Sequence, residues 1–291
     1  IESVDTNPNL TYPVFEKKYT DHGPTLLITA GMDGDEYDAI DAAYRFIDMA
    51  QTLPAIGTIR VLPIINTRGF YGGTSVNPLD GKYPKHLYPG NPSGTPSEQL
   101  ISHIRSHHVL GASVWIDLHG GNLTERLTPF VSTYKTGITP IDTLTKRWIA
   151  CIQNDLVIYE KTLWPVPKRI ATDGTMYALS EAGDCTGRSE SCVLLHLSRI
   201  HSLMVSLGMI SAPETSSGDG TKELYTNTQW VCAPFDGIWN AEHSTLTSLD
   251  TKRTKTLSLP HNLPLWHHSG MAVQKGEVLA LYAYGKTDRI S

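Results

Sequence analysis

The most constraining feature of this sequence is a repeated switch of hydrophobic period. Over roughly the first 210 residues, apolar runs of strand length alternate with stretches patterned for a helix. Pro24–Ala30 reads as a buried strand. After it, Glu36–Ala50 places Tyr37, Ile40, Ala43, Tyr44, Phe46 and Ile47 at helical spacing. Thr58–Ile65, Ala112–Leu118, Thr128–Thr133 and Thr175–Ser180 read as further strands. Thr95-Pro-Ser-Glu98 opens a helix running to about Val109: the threonine caps, the proline suits the first turn, and Glu98 reaches back to the cap. Pro140–Gln153 and Arg188–Leu207 are expected helices, the second stopped by Gly208. Such alternation predicts an α/β fold, with a mostly parallel mixed sheet flanked by helices.

Two stretches break the pattern. Asn66 to Pro96 is rich in Gly, Pro and Asn and has no clear period, which marks a long loop of the kind that carries function. Ser211–Thr221 holds Pro213, Ser216, Ser217, Gly218 and Gly220 and reads as a linker. Beyond it, Thr228–Ala233, Asp236–Ile238, Met271–Val273 and Val278–Tyr284 are short β-branched or aromatic runs between turn residues. The expected division is therefore residues 1–220 as the main domain and 221–291 as a small C-terminal β domain.

Composition excludes several function classes. Apolar side chains make up 40% of 291 residues, enough for a core. With 24 basic against 29 acidic side chains, the net charge is −5, so no extended nucleic-acid surface is expected. No apolar run reaches the roughly 18–20 residues that cross a bilayer, so no membrane association is expected. Cys151, Cys185, Cys192 and Cys232 lack the close pairing of zinc ribbons or redox dithiols, and fit a reducing, cytoplasmic setting. His107-His108 and His267-His268 are adjacent pairs whose side chains point apart, and they read as surface or packing.

Ligands of α/β sheets bind beyond the carboxyl ends of the strands. There the sequence places Gly31-Met-Asp-Gly-Asp-Glu36, His119-Gly-Gly121 and Glu181-Ala-Gly183. Asp33, Glu36 and His119 could share one metal ion with a coordination position left open, and Glu181 could then act as a general base. The same two acids also suit the cap and first turn of the following helix.

These residues resemble a known family. Thr29-Ala-Gly-Met-Asp-Gly-Asp-Glu-Tyr37 resembles the Gly-x-His-Gly-x-Glu segment of the succinylglutamate desuccinylase/aspartoacylase family, within the zinc carboxypeptidase superfamily. Leu62-Pro-Ile-Ile-Asn66, Asp80-Gly-Lys82, Leu87-Tyr-Pro-Gly90, Asp117-Leu-His119 and Ser180-Glu-Ala-Gly183 follow that family's order. Ala233-Pro-Phe-Asp-Gly237 and Gly270-Met-Ala-Val-Gln-Lys-Gly276 are similar to its C-terminal β domain. The resemblance implies a carboxypeptidase-like α/β domain, one zinc ion, and hydrolysis of an amide in a small N-acyl amino acid. It further implies Glu36 and His119 as metal ligands and Glu181 as the base.

Departures from the family pattern sharpen these expectations. Asp33 stands where the family has its first histidine ligand. One more carboxylate makes the site less positive and tilts it toward harder ions, so zinc is expected first and manganese second. The arginine that polarises the scissile carbonyl should fall near Ser75, and Lys85-His86 occupies the place of an Asn-Arg pair. Arg68, Lys85, His86 and Arg126 are therefore the candidate substrate-binding residues. The expected function is a metal-dependent amidohydrolase of this deacylase type acting on a small molecule. The alternative is a catalytically impaired relative that only binds one.

Overall fold

The computed structural model describes residues 1–123, 125–152, 155–161, 165–211, 223–225, 227–240, 243–257, 272–275 and 278–284. Beyond Ser211, the expected linker lies outside these residues, as does the His267-His268 pair. A hairpin of β1 (Glu2–Val4) and β2 (Asn7–Tyr12) precedes the main sheet. That sheet has eight strands. Its first members are β3 (Phe15–Lys18), β4 (Thr25–Ala30), β5 (Thr58–Leu62) and β6 (Val114–His119). The rest are β7 (Phe130–Tyr134), β8 (Leu156–Glu160), β9 (Met176–Glu181) and β10 (Glu223–Tyr225). In space the order is β10-β8-β7-β9-β6-β4-β5-β3. The β7/β9 and β3/β5 pairs are antiparallel and the other five are parallel, which makes the sheet mixed and mostly parallel.

Strand alternation divides the core into two layers. Leu26, Ile28 and Ala30 of β4, with Val114, Ile116 and Leu118 of β6, face one side. There they meet α1 (Tyr37–Ala50), α4 (Thr139–Cys151) and α6 (Glu190–Ser206) through Phe46, Trp148 and Leu203. Leu27 of β4 and Trp115 of β6 face the other side, against Leu100, Ile101 and Ile104 of α3 (Pro96–Ile104) and Ile170 of α5 (Pro165–Thr172). Because β6 alternates, Asp117 and His119 share the α3 side with Trp115.

The long loop is partly ordered by a short helix, α2 (Thr67–Gly72), that hydrophobic periodicity does not reveal. Its start is capped by Asn66, whose side chain accepts from the Gly69 N–H at 2.9 Å. Helix α3 begins as expected, with Glu98 accepting from the Thr95 N–H at 2.8 Å. It then passes into a π-type turn over Arg105–Val109.

Toward the C-terminus, β11 (Asn227–Cys232) pairs with β16 (Val278–Tyr284). A four-stranded antiparallel sheet joins β12 (Gly237–Asn240), β13 (Thr245–Ser248), β14 (Thr254–Thr256) and β15 (Ala272–Val273). Ala233, Trp239, Leu246, Val273 and Leu279 form a separate core. Glu223–Tyr225 instead extends the main sheet beside β8. No helix among the described residues is long and apolar enough to cross a membrane.

Candidate active site

Three neighbouring parallel strands, β4, β6 and β9, end at one edge of the sheet. The loop after β4 carries Asp33 and Glu36. Gly34 lets this loop lie flat on α2, since a Cβ there would stand 2.2 Å from the Gly69 carbonyl carbon. His119 closes β6, and Glu181 lies opposite it at the end of β9. All four are buried, with Asp33 fully enclosed.

Donor atoms of Asp33, Glu36 and His119 lie within 4.8 Å of one another. His119 Nδ1 is 2.9 Å from Glu36 Oε2 and 3.8 Å from Asp33 Oδ2. On the far side of the ring, Nε2 stands 3.1 Å from Asp117 Oδ2. Asp117 is itself held by the Thr29 hydroxyl at 2.5 Å and the Tyr177 hydroxyl at 3.2 Å. This carboxylate–histidine arrangement turns Nδ1 toward the acids, as metal-binding histidines require.

Glu36 could equally have served as a helix cap, but it makes no side-chain cap bond to α1. Its Oε2 accepts from the Gly120 N–H at 3.1 Å. Asp33 Oδ1 is buried without a hydrogen-bond partner, while Oδ2 accepts from Lys85 Nζ. An orphaned buried carboxylate oxygen beside an oriented imidazole and a second carboxylate is a donor set that fits a divalent cation.

Electrostatics bind the cluster together. Burial pushes the Asp33 carboxyl up, but Lys85 and His119 outweigh it and hold the group below its ordinary range. Burial and the Asp33 charge push Glu36 well up. His119 rises well above its usual value because Asp117 and Glu36 overcome the effect of burial. Burial also raises Glu181 to about 7, against the pull of His119 and Lys85.

The remaining expected residues are placed unequally. Lys85, with its side chain 30% exposed, joins the cluster directly. His86 lies at its rim, where desolvation and then the Lys85 charge lower its pKa. Arg68 is exposed near Leu10, Asn77 and Leu100. Arg126 is exposed and pairs with Asp184 at 3.6 Å. Ser75 is committed to the loop, its hydroxyl donating to Asp35 at 2.8 Å.

Glu125 is a member that the sequence reading missed. Burial raises its carboxyl to about 7, and Lys85, Asp33 and His119 are among its electrostatic neighbours. The signal available in sequence was its position just after Gly120-Gly121.

Behind Glu181, the buried Arg199 donates to Asp155 at 2.6 and 2.8 Å and to the Glu181 carbonyl at 2.9 Å. Arg199→Leu would strand the Asp155 charge inside the protein. It is expected to cost about 3–5 kcal/mol in urea unfolding, and a loss under about 1 kcal/mol would contradict this role.

Residues 22–161 match the family model described as the succinylglutamate desuccinylase/aspartoacylase catalytic domain. An N-alpha-acetyl-L-2,4-diaminobutyric acid deacetylase from Halomonas elongata is 30% identical over 112 residues, a stretch covering 38% of this chain and 33% of that enzyme. The match thus spans about a third of that curated relative. A succinylglutamate desuccinylase/aspartoacylase structure from Rhodobacter sphaeroides superposes with TM-score 0.75 at 22% identity, covering 94% of this chain and 89% of that one. An aspartoacylase family protein from Mesorhizobium loti gives TM-score 0.76 at 20% identity, covering 96% and 90%. The mixed sheet, its helical layers and the matched segment agree: residues 22–161 are similar to the succinylglutamate desuccinylase/aspartoacylase catalytic domain, and the fold is the one its solved members share.

Proposed function

We propose that the protein is a metal-dependent amidohydrolase that deacylates a small N-acyl amino acid. The observation carrying this reading is the convergence of Asp33, Glu36 and His119, with Asp33 Oδ1 unpartnered. These three residues would hold the ion, with zinc the first choice and manganese the second. A bound cation of this kind activates water and polarises a carbonyl. Glu181 takes a proton from the attacking water on its carboxylate and returns it to the leaving amine nitrogen. His119 is kept in orientation by Asp117, and Lys85 and His86 face the substrate from the cleft rim. The chemistry is assigned to residues 1–220, with β10 completing the edge of their sheet, and the small β domain to the strands from Asn227 onward.

The sign of the pH dependence follows from Glu181. A base must be ionised, and burial holds this carboxyl up to about 7. The rate constant kcat/KM is therefore expected to rise with pH and level off. A cation nearby favours the carboxylate, so the rise should centre at or below about pH 7. A profile that falls as pH climbs through that region would contradict Glu181 as the base.

A second reading, a relative that binds without catalysis, is favoured by one specific observation: Lys85 donates to Asp33 inside the cluster, as an internal cation. Zinc uptake separates the two readings. Wild-type protein should bind one equivalent more than His119→Gln, and equal uptake would favour the binding-only reading. Substrate choice is testable on the zinc-loaded protein. Lys85 and His86 lack the bidentate grip of a guanidinium, so N-acetylaspartate and N-succinylglutamate should be poor substrates beside neutral N-acyl amino acids. High turnover on either acid would reject this specificity.

A further inference from the structure

A second cluster lies apart from the sheet edge, where the β1–β2 hairpin meets the end of α3. His103 and His107 are four residues apart across the start of the π-type turn, and their rings stack with centroids 4.0 Å apart. Asp5, in the hairpin turn, presents Oδ2 3.4 Å from His103 Nδ1 and 3.4 Å from His107 Nε2. The three side chains border a surface cleft of about 100 Å³ that Ser102, Ser106 and Gln99 also line.

The distances have the dimensions of a coordination sphere. Zinc binds imidazole nitrogen at about 2.0–2.1 Å and carboxylate oxygen at about 2.0–2.2 Å. With bonds near 2.1 Å, a 3.4 Å separation subtends about 108° at the ion, the tetrahedral angle. Two separate imidazoles stand at that distance from one carboxylate oxygen.

Ring orientation supports the same use. His107 Nδ1 donates to the His103 carbonyl at 3.0 Å, which leaves Nε2 as the free lone pair facing Asp5. A ligating histidine ordinarily anchors its other nitrogen in this way. His103 turns Nδ1 toward Asp5, while its Nε2 lies 4.0 Å from Glu2 on the opposite side. The Asp5 backbone N–H donates to His103 Nδ1 at 3.3 Å, a long bond that an ion would displace. A π-type turn beside the pair is itself a feature that concentrates at functional sites.

We infer that Asp5, His103 and His107 form a second divalent-metal site, selective for zinc-like ions and completed by water, that pins the N-terminal hairpin to α3. Two imidazoles and one carboxylate suit zinc, nickel or copper better than calcium or magnesium, which take oxygen donors. The site is independent of the sheet-edge cluster, which shares none of its residues.

The test is calorimetric titration of chelator-stripped protein with zinc alone, comparing wild type, Asp5→Asn and His107→Gln. Both substitutions change exposed or half-exposed side chains, so folding should survive. Each is expected to weaken one zinc-binding event at least tenfold and to leave any binding lost in His119→Gln intact. Zinc should also raise the Tm of wild type more than that of either variant. Equal affinity and stoichiometry across all three proteins, or the same zinc-induced Tm rise, would overturn the proposal.

Discussion

Glu181→Gln is expected to lower turnover by about 10²–10⁴ while leaving the fold and zinc uptake in place. The amide keeps the size and the polar character of the carboxylate but cannot accept a proton at the pH of the reaction. The residue is 8% exposed, and its backbone is held by β9 pairing and by Arg199, so neither packing nor position should change. Burial makes the substitution favourable for stability, because the ionised carboxylate sits in a poorly solvated place. Unfolding midpoints should therefore match wild type or exceed it. A variant that retains more than about a tenth of wild-type turnover would remove Glu181 from the chemistry, and Glu125 would then be the next carboxylate to test.

Lys85→Met is expected to destabilise the metal-free protein by about 2–4 kcal/mol, because it leaves a buried carboxylate without its cation. Asp33 is fully enclosed, whereas Lys85 is 30% exposed at the side chain, which puts the cost toward the lower part of the range for a broken buried pair. The loss should shrink when zinc is added, since an ion then takes over the compensation of Asp33. Urea unfolding with and without zinc measures both quantities. Equal stability of the variant and wild type in chelator would show that Lys85 does not compensate Asp33. The same experiment bears on specificity, because a lysine engaged with Asp33 has one ammonium to divide between that carboxylate and the substrate.

Much of this architecture was legible because hydrophobic period reports burial directly. The strand at Thr25–Ala30 and the helix at Tyr37–Ala50 fell where the period changed, and the two faces of β4 show the reason: both are covered. Elements that period does not govern were missed. Helix α2 contains Gly69 and Gly72, poor helix formers, and exists because Asn66 caps it. The antiparallel placement of β7 against β9 leaves no mark on composition.

The site was readable in the same uneven way. Asp33 and Glu36 lie in the loop that follows β4, and His119 and Glu181 are the last residues of β6 and β9, at the sheet edge where ligands concentrate. The Lys85–Asp33 contact joins residues 52 apart in sequence, and local pattern carries no trace of it. Glu125 lies in a returning loop, fixed where its carbonyl accepts from the Cys185 N–H at 2.9 Å. That closure depends on tertiary contacts rather than on any motif.

Amide hydrolysis by one preparation, assayed before and after chelator treatment and again after zinc is restored, tests the central claim most directly. The substrates should be a panel of N-acyl amino acids that includes N-acetyl-2,4-diaminobutyrate. The account predicts turnover on at least one compound, its loss in chelator, and its return with zinc in wild type but not in Glu181→Gln. Turnover that survives chelation, or none on any amide from protein carrying zinc at Asp33, Glu36 and His119, would contradict it.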